Sequence, residues 1–308
     1  MAAIPPFLFR AASDQSRGAN TAAKIDPLEH YGTADYHKDL DSFPRCDICP
    51  MLADHFEYKY DRPSEFSSWS ISILWVLVHA VRKATCFEET NVLIYIMDAR
   101  KLPTGRAHSA VQLVKDYRLE WIPNVRDYTQ GEYLVHGELR NTDGLWKAVR
   151  LETLIDAGLY TTFPTLGRED LADSLYQRMI KLRMGYFTDI KPMDADMICV
   201  VKRLVGCFDA KWQGVLMVAL VMSMRRDLSE EGIEPLWDVL QSMSLPRLRW
   251  EEDIGLRTLH ISLYRVPEAA QFMQVLRLIH GREAAEIENS SATSGEGGGR
   301  SRIPVQDC

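Results

Sequence analysis

The segment FSSWSISILWVLVHAV, residues 66–81, changes its pattern midway and decides the expected fold. Serines recur at every second position, so Ser68, Ser70 and Ser72 share one face of a strand. From residue 73 onward the apolar residues follow a helical period, which predicts a helix directly after that strand. Serines at such a junction are typical of helix caps. Capping by Ser70 or Ser72 is therefore the simplest interpretation of these hydroxyls.

The whole chain has the composition of an ordinary globular protein. Its 308 residues are 46% hydrophobic and 26% charged, which suggests about two domains with packed cores. A net charge of −7 without a long basic run argues against a nucleic-acid partner held by phosphate contacts. The longest apolar runs are shorter than the roughly 20 residues of a membrane span, and the amino terminus has no secretion-signal pattern. We expect an intracellular, cytoplasmic protein with reduced cysteines and no membrane contact.

Short strands separated by irregular segments characterise the first half. Strands are predicted over 6–11, 92–98, 131–139 and 145–152, in addition to the serine strand. The last two are expected to pair across NTDG, which is a turn signal. This pattern indicates a compact sheet around a cleft and argues against a parallel, doubly wound domain. The predicted fold class is α+β.

After Pro164 the apolar spacing becomes helical. Helices are predicted over 168–184, 193–207, 211–226, 232–244, 251–265 and 268–284. The segments show no fixed-period repeat, so they predict an irregular all-α domain at about 165–285 rather than a solenoid. Residues 286–308 are rich in Gly and Ser and predict a disordered tail.

Three segments of the first half carry residue types that suit one site: LFRAASD (8–14), SWSISI (68–73) and YTQGEYLV (128–135). They place an arginine on a strand, serines before a helix and a Gln-x-Glu at the start of a later strand. In this order they resemble the ADP-ribosyltransferase fold of cholera-toxin and heat-labile enterotoxin A chains. LADH (52–55) is similar to the family segment that supplies an active-site histidine. The resemblance covers about residues 5–155 and implies an ADP-ribosyltransferase-like split β-sheet domain there.

The resemblance also implies NAD as the substrate. Removal of nicotinamide passes through a ribosyl cation, which Glu132 would stabilise. Arg10 offers a planar fork for phosphate or ribose oxygens, while Ser68 and Ser70 would bind the cofactor and orient the glutamate. The further catalytic candidates are Gln130 and His55.

Gln130 stands where the toxins that modify arginine carry a glutamate. An amide cannot act as the base that a guanidinium acceptor needs at neutral pH. Relatives with Gln-x-Glu modify asparagine amides or nucleobases, so the resemblance favours an amide or base nitrogen as the acceptor. Trp69 is a second departure, because the family usually has a small hydroxyl residue inside the serine motif.

Two functional hypotheses stay open at this point. The first is an NAD-dependent mono-ADP-ribosyltransferase that acts on a protein or another acceptor. The second is a catalytically inactive relative that serves as a protein-interaction module through its helical half. Under either hypothesis the sequence also resembles a fungal domain family of unassigned function that is related to these enterotoxin chains. A helical regulator with an incidental small sheet is a third alternative. Cys46 and Cys49 lack a second cysteine pair, so the sequence predicts no metal site.

Overall fold

The computed structural model describes residues 4–27, 40–57, 59, 64–167, 174–243 and 265–295. Within these ranges, antiparallel strands and short helices form the first half, and helices alone form the second. This arrangement confirms the predicted combination of an antiparallel sheet region with a C-terminal helical part.

Nine strands form two sheets in the described part of the chain. Six of them form the larger sheet in the order β6-β7-β4-β1-β5-β9, and β2, β3 and β8 form a small second sheet. Every pairing is antiparallel. The strands are β1 Phe7–Ala12, β2 Ala19–Asn20, β3 Lys24–Asp26, β4 Phe66–Ser70, β5 Leu93–Asp98, β6 Ala107–Ser109, β7 Glu132–His136, β8 Leu139–Arg140 and β9 Trp146–Arg150.

The expected pairing across NTDG is wrong. β7 lies between β6 and β4, whereas β9 pairs with β5 at the opposite edge of the sheet. Between them, β8 pairs with β3 in the small sheet, and a 3-10 turn at Thr142–Gly144 follows. The turn signal therefore marks a real change of direction, but the chain uses it to reach the other side of the sheet.

The helices occupy positions close to those expected. Most of the predicted helix at 251–265 lies outside the described residues. The last helix reaches Gly295, so residues 286–295 of the expected tail are helical, and residues 296–308 lie outside the described part. The helices are α1 Arg45–Phe56, α2 Ile73–Cys86, α3 Ala110–Asp116, α4 Val125–Tyr128, α5 Leu151–Asp156, α6 Leu159–Thr162, α7 Leu175–Phe187, α8 Ala195–Val205, α9 Ala210–Val221, α10 Glu230–Leu240 and α11 Pro267–Gly295.

None of the helices that the structure describes combines the length and the apolar character that a membrane crossing requires.

The turn between β4 and α2 is held by two of the three serines. Ser72 is the N-cap, and its Oγ accepts the N–H of Trp75 at 3.0 Å. The Oγ of Ser70 accepts the N–H of Ser72 at 3.1 Å. The capping interpretation is thus confirmed for Ser72, and Ser68 is the serine whose hydroxyl this turn does not use.

A single hydrophobic cluster joins the sheet region to the helical part. Phe9 of β1 packs against Phe272 of α11, with ring centroids 6.2 Å apart. Helix α9 is buried along its whole second half, and its side chains belong to the same cluster as those of β1, β4 and β5. A smaller cluster lies between α1, α3 and the paired strands β4 and β7. The predicted boundary between a domain at 5–155 and one at 165–285 stays a prediction, although the core is continuous across it.

Replacing Phe272 with Ala should therefore destabilise the sheet and the helical part together. The side chain is 2% exposed, and its removal leaves a cavity against Phe9 that costs about 3–5 kcal/mol. Amide hydrogen exchange in β1 and in α9, measured alongside urea unfolding, should accelerate in both elements.

The control is Leu278→Ala, because Leu278 lies on the same helix but is 37% exposed. It should change the free energy of unfolding by less than about 1 kcal/mol. Exchange that accelerates in α9 of the Phe272 variant and stays at the parent rate in β1 would contradict a shared core.

Candidate functional site

Ser68 is the residue at which the other predicted site residues meet. Its carbonyl oxygen accepts from Arg10 Nη1 at 2.8 Å, and its Oγ lies 2.9 Å from His55 Nε2. Its side chain is also hydrogen-bonded to the carboxyl group of Glu132. Four residues from β1, α1, β4 and β7 are thus brought together, and we call this group the Ser68 site.

The pairing of β4 with β7 places the serines and the glutamate on one face. Ser70 is directly opposite Glu132, and Ser68 is directly opposite Leu134. Directly opposed residues of an antiparallel pair share a face, as do alternate residues of one strand. Ser68, Ser70 and Glu132 therefore project from the same side of the sheet.

Trp69 projects from the other side of β4 into the core. Its side chain is buried, and its Nε1 donates to Ser67 Oγ at 3.1 Å. Its ring packs edge-on against Tyr95 of β5, with centroids 6.4 Å apart. The bulky residue inside the serine motif therefore fills the core and leaves the serine face clear.

The hydroxyls and the imidazole of the Ser68 site form one directed chain of hydrogen bonds. His55 Nδ1 lies 2.8 Å from Ser64 Oγ, so both ring nitrogens are engaged. Burial, with the positive charges of Arg10 and Arg17, lowers the pKa of His55 to about 4, so the ring is neutral at pH 7. When Glu132 is ionised, the Ser68 hydroxyl donates to the carboxylate, so the neutral ring donates from Nε2 and accepts at Nδ1. In this ionised form the donors follow the order Ser64, His55, Ser68, and Glu132 is the final acceptor.

Glu132 is the last group in this series of hydrogen bonds, and the pKa of its carboxyl group is shifted. Burial raises the pKa of its carboxyl group to about 7, while the Ser68 hydrogen bond and the charge of Arg10 act in the opposite direction. The side chain is nevertheless partly accessible. Protonated and ionised forms consequently coexist near neutral pH, as is common for carboxyl groups in functional sites.

Arg10 is a half-buried cation whose acceptors are neutral oxygens. Its Nη2 donates to Asn20 Oδ1 at 2.9 Å, in addition to the bond with Ser68 O. Burial lowers its pKa to about 10, which leaves it charged at neutral pH. Its Nε atom is buried and has no hydrogen-bond partner among the described residues. Because the residue is partly accessible and its charge faces neutral acceptors, the guanidinium favours an anionic ligand at its accessible side.

In two of the predicted site residues, Gln130 and Ser70, the amide or hydroxyl group is hydrogen-bonded to the protein backbone. The Nε2 of Gln130 donates to Arg126 O at 2.9 Å, at the end of α4. The hydroxyl of Ser70 is used in the turn before α2. Both residues are close to Glu132 along the chain or across the strands, but their polar contacts are structural.

Sequence reasoning missed two members of the hydrogen-bond network. Asn20 lies in the polar segment after β1, and Ser64 precedes β4 by two residues. Neither stands in a recognisable motif, because each reaches its partner only after the chain has folded back. The sequence indicates only that Asn20 and Ser64 are polar residues beside a predicted strand.

The described residues contain no group of three or more His, Cys, Asp or Glu side chains placed to hold a metal ion. Of the two cysteines in C-D-I-C, Cys46 is exposed on α1. The Sγ of Cys49 lies 3.5 Å from Tyr117 O. The polar contacts of Cys49 are therefore with protein backbone.

The free energy of unfolding should depend on pH through the titration of Glu132. The pKa of this carboxyl group is about 7 in the folded state and near its ordinary value of 4.5 in the unfolded state, so the folded state binds more protons between these values. Its contribution to stability is then full below pH 4.5 and is lost as the pH rises through 7. The parent should therefore lose stability relative to Glu132→Gln across this window, as measured by urea unfolding at each pH.

Glu152→Gln is the matched control, because Glu152 is exposed on α5. Its unfolding free energy should follow the parent curve. The low pKa of His55 contributes the opposite slope, but both Glu132 proteins share it and it cancels in their difference. Parallel curves for parent and Glu132→Gln between pH 4.5 and 7 would contradict the raised pKa.

The comparisons with known proteins add one finding. Residues 3–142 match the family model described as "Domain of unknown function (DUF7587)". No curated protein and no solved structure matches the chain. The matched residues include β1, α1, β4 and β7, and therefore all four residues of the Ser68 site. Over this part, the chain is similar to a domain family of unknown function.

Proposed function

We propose that this protein is an NAD-dependent mono-ADP-ribosyltransferase that modifies an amide or base nitrogen. The observation that carries the proposal is the meeting of Arg10, His55 and Glu132 at Ser68. An arginine, a serine strand and a later glutamate are the three elements that the resemblance to enterotoxin A chains requires in one place. Their segments are far apart in the sequence, and strand pairing is what unites them.

Arg10 supplies the binding site for the pyrophosphate of NAD in this proposal. A half-buried guanidinium with neutral acceptors suits a phosphate oxygen, because charge-assisted bonds to arginine are strong and directional. Its position beside Ser68 places the phosphate near the carboxyl group of Glu132. Ser68 is hydrogen-bonded both to Arg10, which binds the pyrophosphate, and to Glu132, which acts on the ribose.

Glu132 acts on the ribose during the reaction. The bond between nicotinamide nitrogen and ribose C1′ breaks, and its electron pair leaves with neutral nicotinamide. The Glu132 carboxylate stabilises the positive charge that develops on the ribose, and Ser68 holds this carboxylate in place. An acceptor nitrogen then bonds to C1′ and loses a proton, for which the same carboxylate is the base.

The contact of Gln130 supports an acceptor other than arginine. Its amide donates to Arg126 O, and an amide has no basic group to take a proton from a guanidinium. An asparagine-type amide or a nucleobase nitrogen reacts without that additional base. We therefore propose the acceptor class that the sequence favours, an amide or base nitrogen.

A second candidate function is an inactive domain that binds a partner protein through its helical part. The observation that favours it is an open groove of about 440 Å³, which includes Ile180, Met184 and Phe187 of α7 in its lining. Met184 is 68% exposed, which is uncommon for so apolar a side chain. Under this hypothesis the Ser68 site contributes to stability alone.

Release of nicotinamide from NAD by the purified protein tests the proposal. Glu132→Gln keeps the shape of the side chain but loses the carboxylate, so the rate should fall by about 10²–10³-fold. Glu152→Gln should retain the parent rate. If the parent releases no nicotinamide and NAD produces no rise in its melting temperature, the enzyme proposal is wrong and the binding module is favoured.

The same assay should depend on pH through Glu132. The ionised carboxylate is the active form, so the rate should rise with pH, with a midpoint near the pKa of about 7, and level off above it. Nicotinamide release measured between pH 5.5 and pH 8.5 gives this profile. A rate that is constant over the range would exclude Glu132 as the group that must be ionised.

A further inference from the structure

The start of α11 contacts the two chain segments that adjoin β7 and β4 of the Ser68 site. Arg265 forms an ion pair with Asp127 of α4 and donates to Arg126 O at 3.4 Å. Val266, which is fully buried, packs against Gly131. Residues 265–268, which we call the α11 start, thus reach the turn that precedes Glu132.

Gly131 shows how close this approach is. Its φ is +77°, a conformation that favours glycine. A β-carbon at Gly131 would lie 3.0 Å from Ile71 Cγ2 and 3.4 Å from Val266 Cγ2. The carbonyl of Gly131 accepts from the N–H of Ile71 at 3.0 Å. The turn before Glu132, the end of β4 and Val266 are therefore in direct contact.

Glu268 forms a second attachment, to the serine turn. Its Oε1 accepts from Ser72 Oγ at 2.5 Å. Arg183 of α7 donates Nη2 to the same oxygen at 2.5 Å and Nε to both oxygens at 3.2 and 3.1 Å. Glu268 is 2% exposed, so this is a buried, fully bonded carboxylate. A buried network of this kind permits few alternative geometries.

We propose that Glu268 and Val266 are positioning residues that hold Glu132 in register with Ser68. Val266 fixes the turn at Gly131, and Glu268 fixes the turn at Ser72, so the α11 start holds the ends of β4 and β7 together. These residues lie outside the matched region 3–142, and the site is therefore completed by the helical part. The consequence for catalysis rests on the proposed function, whereas the positioning itself does not.

Two variants with matched controls test this inference in the full chain. Val266→Ala is compared with Val275→Ala, because both valines are fully buried on or beside the same helix. Glu268→Gln is compared with Glu234→Gln, which breaks the exposed pair of Glu234 with Arg282 at 2.8 Å. The valine pair keeps the test valid if Glu268→Gln fails to fold, because it leaves the buried ion pair intact.

Positioning is measured without NAD by carbon-13 NMR of the Glu132 carboxyl group and by amide hydrogen exchange at Ile71 and Glu132. In Val266→Ala and Glu268→Gln, the titration midpoint of Glu132 should fall towards its ordinary range and exchange should accelerate. Val275→Ala and Glu234→Gln should leave both at parent values. Equal effects of Val266→Ala and Val275→Ala on these measurements would overturn the proposal and assign the α11 start a general stabilising role.

The kinetic measurement separates this inference from the proposed function. In an active parent, Val266→Ala should lower kcat for nicotinamide release by about 10- to 100-fold, because a misplaced group loses transition-state contacts. KM should stay within about 2-fold, since the hydrogen bonds of Arg10 go to Ser68 and Asn20, which the substitution leaves in place. A parent without activity would refute the proposed function, while the NMR and exchange results would still decide the positioning.

Discussion

The arrangement of the chain depends on the two hydrogen bonds of the Ser72 hydroxyl. It caps α2 by accepting from Trp75, and it donates to the buried carboxylate of Glu268. A strand end, a helix start and a helix from the far end of the chain therefore converge on one oxygen atom. Replacing it by a group without these bonds would leave a helix terminus and a buried charge unsatisfied at the same time. The serine turn consequently has one geometry, and β4 enters the sheet in one register.

That register places Ser68 and Ser70 on one face of β4 and Trp69 on the other. With Ser70 fixed opposite Glu132, a slip of one residue would turn Trp69 towards the site and Ser68 into the core. The core contacts of Trp69 with Ser67 and Tyr95 oppose such a slip. Packing on one side of the strand and hydrogen bonds on the other thus select the same register, as is expected of a sequence that specifies one structure.

The sequence predicted local features well and long-range pairing poorly. The strand-to-helix change at residues 66–81 and the capping by Ser72 were readable, because the period and the cap residue are local signals. The pairing across NTDG was predicted wrongly, because a turn signal reveals a change of direction but not the strand that will be met next. Asn20 and Ser64 were missed for the same reason: their partners are determined by the folded topology. The part played by α11 had no signal, since nothing in VPEA distinguishes it from any other helix start.

The electrostatics of the Ser68 site are the strongest argument that it does more than stabilise the fold. Arg10 and Glu132 are close enough to influence each other's titration, yet the hydrogen bonds of Arg10 go to Ser68 and Asn20 instead of a carboxylate. A fold selected for stability alone would pair these charges or replace them by apolar groups, because an unpaired buried charge is costly. Arg10 stays charged at neutral pH because its pKa of about 10, although lowered by burial, is well above 7, while burial keeps the carboxyl group of Glu132 near its midpoint. Under the proposed function, an anionic substrate that develops positive charge at its far end would interact favourably with both groups.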